Sequence, residues 1–268
     1  MSGRPTVAKL GLRTVALGYL FLLLAAPVGL IFYRTFEHGF GPAWDAVTTP
    51  EAQHAFWMTM LMIIVAVPAN TVFGVITAIL LVRHRFPGRA LLNAAIDLPF
   101  AVSPVVIGLA LILVYGQGGW FGGWLTEQGI QVIFSAPGMI LATMFVSLPF
   151  VVREVMPVLR EIGTEQEQAA STLGASGWQT FWRVTLPSIR WGLTYGVVLA
   201  TARALGEFGA VSVVSGKLSG ETETMTLFVE NRFHQFDLTG AYAASVVLAM
   251  IALVTLVGMS MFNRRREA

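Results

Sequence analysis

Six stretches of the chain are long and apolar enough to cross a bilayer, and nothing else in the sequence limits the fold so tightly. The hydrocarbon layer is about 30 Å thick, so a spanning helix takes about 20 apolar residues. Such runs extend from Thr14 to Tyr33, Phe56 to Val82, Ala90 to Tyr115, Phe134 to Val152, Gly192 to Val214 and Leu238 to Phe262. The second and sixth carry no charge; the third carries Asp97, and the fifth Arg203 and Glu207. Composition agrees. Charged residues make up 12% of the 268 residues, against roughly 25% in soluble domains. The sequence predicts an all-α integral membrane protein of about six transmembrane helices, forming a single transmembrane domain over 1–268.

The placement of cations tests this count. With an even number of spans both termini share one side, which then carries Arg4, Lys9, Arg13, Arg83, Arg85, Arg89, Arg153, Arg160, Arg183, Arg190, Arg264, Arg265 and Arg266. The opposite side carries Arg34, Lys217 and Arg232. Cytoplasmic loops hold the excess of Lys and Arg, so both termini are expected in the cytoplasm. The first run follows three cations, as a signal peptide does. It is longer than the h-region of about 7–15 residues, and Arg34 follows it directly, so it reads as a retained span. With a net charge of +2 and every cation but Arg203 in the loops and termini, no nucleic-acid-binding face is expected.

Pro68, Pro99, Pro104 and Pro149 punctuate the spans, with Gly74, Gly108, Gly206 and Gly209. In membrane helices such residues either kink or break a helix or let neighbouring helices approach. The run from Asp97 to Pro104 admits both readings. Arg203 and Glu207 are four residues apart and share a helix face. Charge at membrane depth faces the bundle interior or water. The two residues either form a locking ion pair or serve an anion path as its gate, with hydroxyls near Ser103 and at Ser212 and Ser215 as further contacts. Asp97, close to the cytoplasmic end of its run, is expected to cap or pair there. The outer stretch Gly116–Gly129 reads as a re-entrant or interfacial element, with Trp120 and Trp124 suited to an interface belt, and Ser215–Asp237 reads as an outer loop that either receives a binding protein or is simply solvated.

The segment 153–190 is the most informative. Thr164 and Glu167 have capping-box spacing, as do Ser176 and Gln179. Ala169, Ala170 and Leu173 share a small apolar face, and Gly174 suits the position past a helix end. Trp178, Phe181 and Trp182 line a second short helix, which Pro187 is expected to end. Two short capped helices braced by aromatics make a rigid cytoplasmic knob with a tip of small residues.

Ala169, Ala170, Gly174, Val184, Leu186 and Pro187 in this spacing resemble the EAA loop of permease subunits in bacterial ABC importers. That motif begins with Glu, where this chain has Gln168; Glu165 and Glu167 are the neighbouring acids. The coupling set on this reading is Glu167, Gln168, Ala169, Ala170, Leu173, Gly174, Ala175, Leu186 and Pro187. The runs Leu98–Val106, Gly174–Trp178, Arg203–Val211 and Glu223–Leu227 resemble the sulfate/thiosulfate permease group, and Gly138–Leu159 and Gly192–Gly216 its CysW-type branch. Molybdate permeases share much of the pattern. The resemblance implies a homologous second permease, two copies of an ABC ATPase, a periplasmic sulfate-binding protein and a place in the bacterial inner membrane.

Two other classes fit poorly. An intramembrane enzyme needs convergent catalytic groups, yet His38, His54, His84 and His234 are scattered in loops. The chain has no Gly-x-Ser-x-Gly, no Gly-x-x-x-x-Gly-Lys and no cysteine, so no catalytic or metal site and no cofactor of its own are expected; ATP is used by a partner. A self-contained ion-driven carrier calls for inverted repeats with paired broken helices and leaves the capped loop unexplained.

Overall fold

A computed structural model of the chain describes residues 7–264, in which fourteen α-helices and no strands occur. Arg4, Arg265 and Arg266 lie outside these residues. The first predicted span is one helical rod made of α1 (Val7–Leu20), a π-turn (Phe21–Ala25) and α2 (Ala26–Phe36). The π-turn prepares for Pro27, which lacks an N–H: the Ala26 amide donates to Phe21 O, five residues back. This rod stands apart from the rest and touches α14 (Leu238–Arg264) through α2. A short helix, α3 (Phe40–Val47), follows it.

The core is built around three long helices. α4 (Pro50–Arg83) and α8 (Ala136–Glu161) pack along each other, and α11 (Leu186–Leu205) packs on α8. Small residues set their separation. A methyl group added at Gly74 would lie 2.6 Å from Val151 Cγ1, and one at Gly192 would lie 2.8 Å from Glu154 O. Lipid tails are as apolar as side chains, so close backbone approach and buried hydrogen bonds replace the hydrophobic effect as the force between membrane helices. Asn70 supplies such bonds: its amide donates to Met144 O and Ser147 Oγ of α8, both at 2.9 Å. α8 continues through Arg153 to Glu161, so the first nine residues of the 153–190 segment are helix.

Two of the predicted spans are broken rods. The third consists of α5 (Arg89–Ala101) and α6 (Pro104–Tyr115), which meet at 116°. Pro104 is the cause. Its ring drives the preceding residue out of helical space, and Ser103 adopts φ −59°, ψ 135°. The fifth span ends with α11 at Leu205; a turn at 206–208 leads into α12 (Gly209–Val214). Among the described residues, four helices are long and apolar enough to cross a membrane, five if the bent pair counts as one. With α11 the count is roughly the six expected.

The outer connections are structured. α7 (Gly122–Glu127) presents Trp124 outward, with Trp120 exposed beside it. Ser215–Asp237 is more than a solvated loop. It contains α13 (Met225–His234), which packs on α4 and α14 with Met225, Leu227 and Phe228 buried. The Met225 amide donates to Thr59 Oγ1 at 2.9 Å.

Gly74→Leu forces α4 and α8 apart. Overpacking of this kind is destabilising by about 1–3 kcal/mol, so the variant is expected to melt lower in detergent than the wild type, whereas Val72→Leu, on the exposed face of α4, leaves the melting temperature unchanged.

Candidate functional site: a capped elbow and two helix breaks

The segment between α8 and α11 folds into an elbow. α9 (Glu165–Thr172) ends in a Schellman cap: the Ala175 amide donates to Ala170 O and the Gly174 amide to Ser171 O, both at 3.0 Å. This cap requires the left-handed backbone of Gly174, φ +84°. α10 (Gly177–Thr180) then opens with a complete capping box, in which the Gln179 amide donates to Ser176 Oγ at 3.3 Å and the Ser176 amide to Gln179 Oε1 at 2.9 Å. Trp178, Phe181 and Trp182 pack on one another, Trp178 stacked on Phe181 and both meeting Trp182 edge-to-face. The elbow is therefore stiff, yet its tip points outward: Leu173 is 88% exposed, and Gln168, Ala169 and Gly174 are exposed with it.

Two sequence expectations change here. The Thr164–Glu167 capping box does not form, although α9 does start at Glu165. The Thr164 hydroxyl instead accepts from Gln168 Nε2 at 3.1 Å. Glu167 turns inward to Arg83, whose Nε lies 3.0 Å from Glu167 Oε2. A mostly buried guanidinium needs a carboxylate more than an exposed backbone amide does. Pro187, in turn, does not end the second short helix. Through a π-turn (Phe181–Thr185), in which the Leu186 amide donates to Phe181 O, the chain runs on as helix from Gly177 to Leu205. Leu186 and Pro187 thus lie inside one rod joining the elbow to the bundle.

Arg83 is the residue that sequence reasoning missed, having counted it only as a loop cation. Its side chain is 12% exposed. Nη1 donates to Leu159 O at 2.9 Å and Nη2 to Gly163 O at 2.6 Å, closing the C-terminal end of α8. Thr185 Oγ1 donates to Glu167 Oε1 at 2.9 Å from the far side of the elbow. Asp97 also finds a partner, as expected: Arg153 grips it bidentately, with Nε donating to Oδ1 at 2.8 Å and Nη2 to Oδ2, tying α5 to α8.

The second cluster lies where the two broken rods touch. A methyl group at Gly209 would lie 2.9 Å from Pro104 Cβ, and one at Gly108 would lie 2.8 Å from Ala210 O, so the starts of α6 and α12 are neighbours. Glu207, 1% exposed, sits in the second break. Its Oε1 accepts from the Ala210 amide at 2.8 Å, Arg203 Nη1 lies 2.7 Å from its Oε2, and Thr226 Oγ1 donates to its backbone carbonyl at 2.8 Å. The structure forms the ion pair that the spacing of Arg203 and Glu207 suggested. Arg203 remains partly exposed, and Ser103, exposed at the first break, makes no N-cap bond. Ser212 and Ser215 bond to nearby backbone: Ser212 Oγ donates to Gly209 O within α12, and Ser215 Oγ, just past that helix, accepts from the Lys217 amide.

Apolar rods broken where they meet, with a stiff elbow carried at one end, make up the architecture of a transporter permease. The chain belongs to the family of binding-protein-dependent transport system inner membrane components, whose family model matches residues 70–267. It is a membrane-spanning subunit of an ABC importer and not an enzyme; ATP hydrolysis belongs to a separate chain. It is 52% identical over 254 residues to the sulfate transport system permease protein CysW of Synechocystis sp., covering 95% of this chain and 92% of that one. It is 41% identical over 246 residues to the sulfate transport system permease protein CysT of Escherichia coli (strain K12), covering 90% and 89%. Its fold matches a chain in the crystal structure of a bacterial alginate ABC transporter in complex with alginate pentasaccharide-bound periplasmic protein, with a TM-score of 0.78 at 17% identity over 95% and 93% of the two chains.

Arg203→Ala strands the Glu207 carboxylate in the interior. Removing one partner of a buried pair is destabilising by about 3–5 kcal/mol, and the lower end applies here because Arg203 is partly exposed. The Arg203→Ala/Glu207→Gln double variant is expected to recover more than half of that loss in detergent melting, because Gln keeps an acceptor for the Ala210 amide and carries no charge.

Proposed function

We propose that this chain is one of two paired permeases in an ATP-driven importer of sulfate in a bacterial inner membrane, with both termini in the cytoplasm. The observation that carries this reading is the elbow, capped at the end of α9 and at the start of α10 yet apolar and exposed at its tip. In this proposal 1–268 acts as one permease domain and 153–190 as its coupling loop. Gln168, Ala169, Ala170, Leu173, Gly174 and Ala175 form the face that meets an ABC ATPase, one copy under each permease. Sulfate as cargo is supported by the strong identity to chains named as sulfate permeases. A homologous partner permease and a periplasmic sulfate-binding protein complete the machine.

The mechanism follows from stiffness. A floppy loop absorbs a push; a capped elbow passes it on. When the two ATPases close on ATP, the elbow moves, and the helical run from Gly177 to Leu205 carries the displacement about 40 Å at 1.5 Å per residue. The rod ends beside the Arg203–Glu207 pair and the two breaks. A tilt there separates α6 from α12 and opens the route that the pair closes at rest. An importer must also release its cargo, so a path needs weak, shared contacts more than one tight cation. Arg203, held by Glu207 and partly exposed, offers such a contact, and the Ser103 hydroxyl at the adjoining break another. Hydrolysis resets the elbow. The chain needs no cofactor of its own for these steps.

Uptake of radiolabelled sulfate, in cells lacking their own sulfate importer and expressing the complete system, is expected and is expected to be competed by sulfate more strongly than by molybdate. Stronger competition by molybdate or another oxyanion reassigns the cargo. Gly174→Trp, which strains the cap and puts bulk at the tip, is expected to abolish that uptake with the permease inserted in normal amount; normal uptake in this variant refutes the docking assignment.

A further inference from the structure

We propose that Arg83 is a positioning residue for the transport cycle: it locks the coupling elbow to α4 and α8, so that the elbow and the bundle move as one body. This rests on the importer reading above and adds a residue outside the coupling loop. The argument starts from the cost of a buried cation. A guanidinium with little solvent contact needs acceptors and a counter-charge within the protein. Arg83 donates hydrogen bonds to three separate parts of the chain, Leu159 O in the last turn of α8, Gly163 O just after that helix and Glu167 Oε1 in α9, and its Nε lies in the ion pair with Glu167 Oε2. Glu167 then reaches across to Thr185 in the π-turn that joins α10 to α11. One residue at the end of α4 thereby binds the exit of α8, the first helix of the elbow and, through a shared carboxylate, the root of the rod.

Geometry also separates this role from docking. Gln168, Ala169 and Leu173 face outward, whereas Glu167 faces Arg83 and is half-buried. The acid and its outward neighbours on α9 therefore do different work: one anchors the helix from behind and the others present its front. The EAA-type motif position is occupied by Gln168, bonded to Thr164. On this chain the charge that holds the elbow comes from Glu167.

Without the anchor, a push on α9 swivels the elbow about Gly163 and Ala175 before it reaches α11. ATP is still spent, and less of each stroke reaches the bundle. The chain contains no cysteine, so a single label can be introduced without background. In full-length permease carrying Ser171→Cys with a nitroxide label, in lipid nanodiscs, Arg83→Gln is expected to increase label mobility, and Thr185→Val to increase it less. In the assembled importer in vesicles, ATP consumed per radiolabelled sulfate imported is expected to rise about fivefold for Arg83→Gln. For Arg83→Gln/Glu167→Gln it is expected to rise no further, because residues that act as a unit are non-additive. Arg83→Lys, which keeps the charge, is expected to recover part of the ratio. A residue needed only for folding lowers the number of assembled importers and leaves both the mobility and the ratio at wild-type values; that result overturns the proposal, as does a mobile label with an unchanged ratio. If Arg83→Gln does not insert, Thr185→Val decides by the same two readouts. Failure of wild-type importer to take up sulfate counts against the cargo assignment, and the label mobility still decides whether Arg83 anchors the elbow.

Discussion

A helix that stops inside a membrane protein leaves N–H and C=O groups that water does not reach, and each must be bonded by something else. This fold stops helices repeatedly, and its polar side chains lie at the stops. Arg83 closes the carbonyl end of α8. Glu207 takes up an amide at the start of α12, and Thr226 donates to the carbonyl in the preceding turn. On the exposed elbow Ser176 and Gln179 close the start of α10 in the same way. Within the continuous α8, Asn70 bonds Met144 O and Ser147 Oγ just ahead of Pro149. The charged residues are too few to cover a surface, and Arg83 and Glu207 among them lie where backbone continuity fails.

Those stops also divide the molecule mechanically. Between them the helices are stiff, and the π-turn at 181–185 is the device that carries helix past Pro187. An ordinary α-turn there leaves a carbonyl facing a proline ring; the wider turn moves the bond one residue back and keeps the rod whole. In the proposed cycle the rods bend where they end, at the 102–103 and 206–208 breaks, which lie against each other, and the elbow is where the push enters. In that cycle the Arg203–Glu207 pair holds the breaks closed, and the Arg83–Glu167 pair ties the elbow to the bundle. In the proposed cycle the work of the ATPase enters at one pair and is delivered at the other.

Much of this was legible in the sequence, for a physical reason. Span length is dictated by bilayer thickness, and local signals such as the Ser176–Gln179 box, Gly174 and the Arg203–Glu207 spacing act within a turn or two. Long-range partners were not legible. The Thr164–Glu167 spacing is a sound local signal that loses to a guanidinium 84 residues away. Asp97 was expected to pair, but nothing in its neighbourhood pointed to Arg153. Prolines were ambiguous too. Pro68, Pro149 and Pro157 sit inside continuous helices, while Pro104 follows a complete break. The residue type is the same, and the outcome depends on which neighbouring helix takes up the freed groups.

The central claim is that the exposed tip of the elbow is the surface on which an ATPase acts. Site-directed cross-linking tests it directly in a chain with no cysteine of its own. Ala170→Cys, in the assembled importer, should cross-link to cysteines scanned along the ATPase surface, with the bonding partner changing between nucleotide-free and ATP-bound states. A control cysteine at Trp120, at the opposite end of the bundle, should give no product. Absence of any adduct from the elbow in both nucleotide states, with uptake intact, contradicts the account.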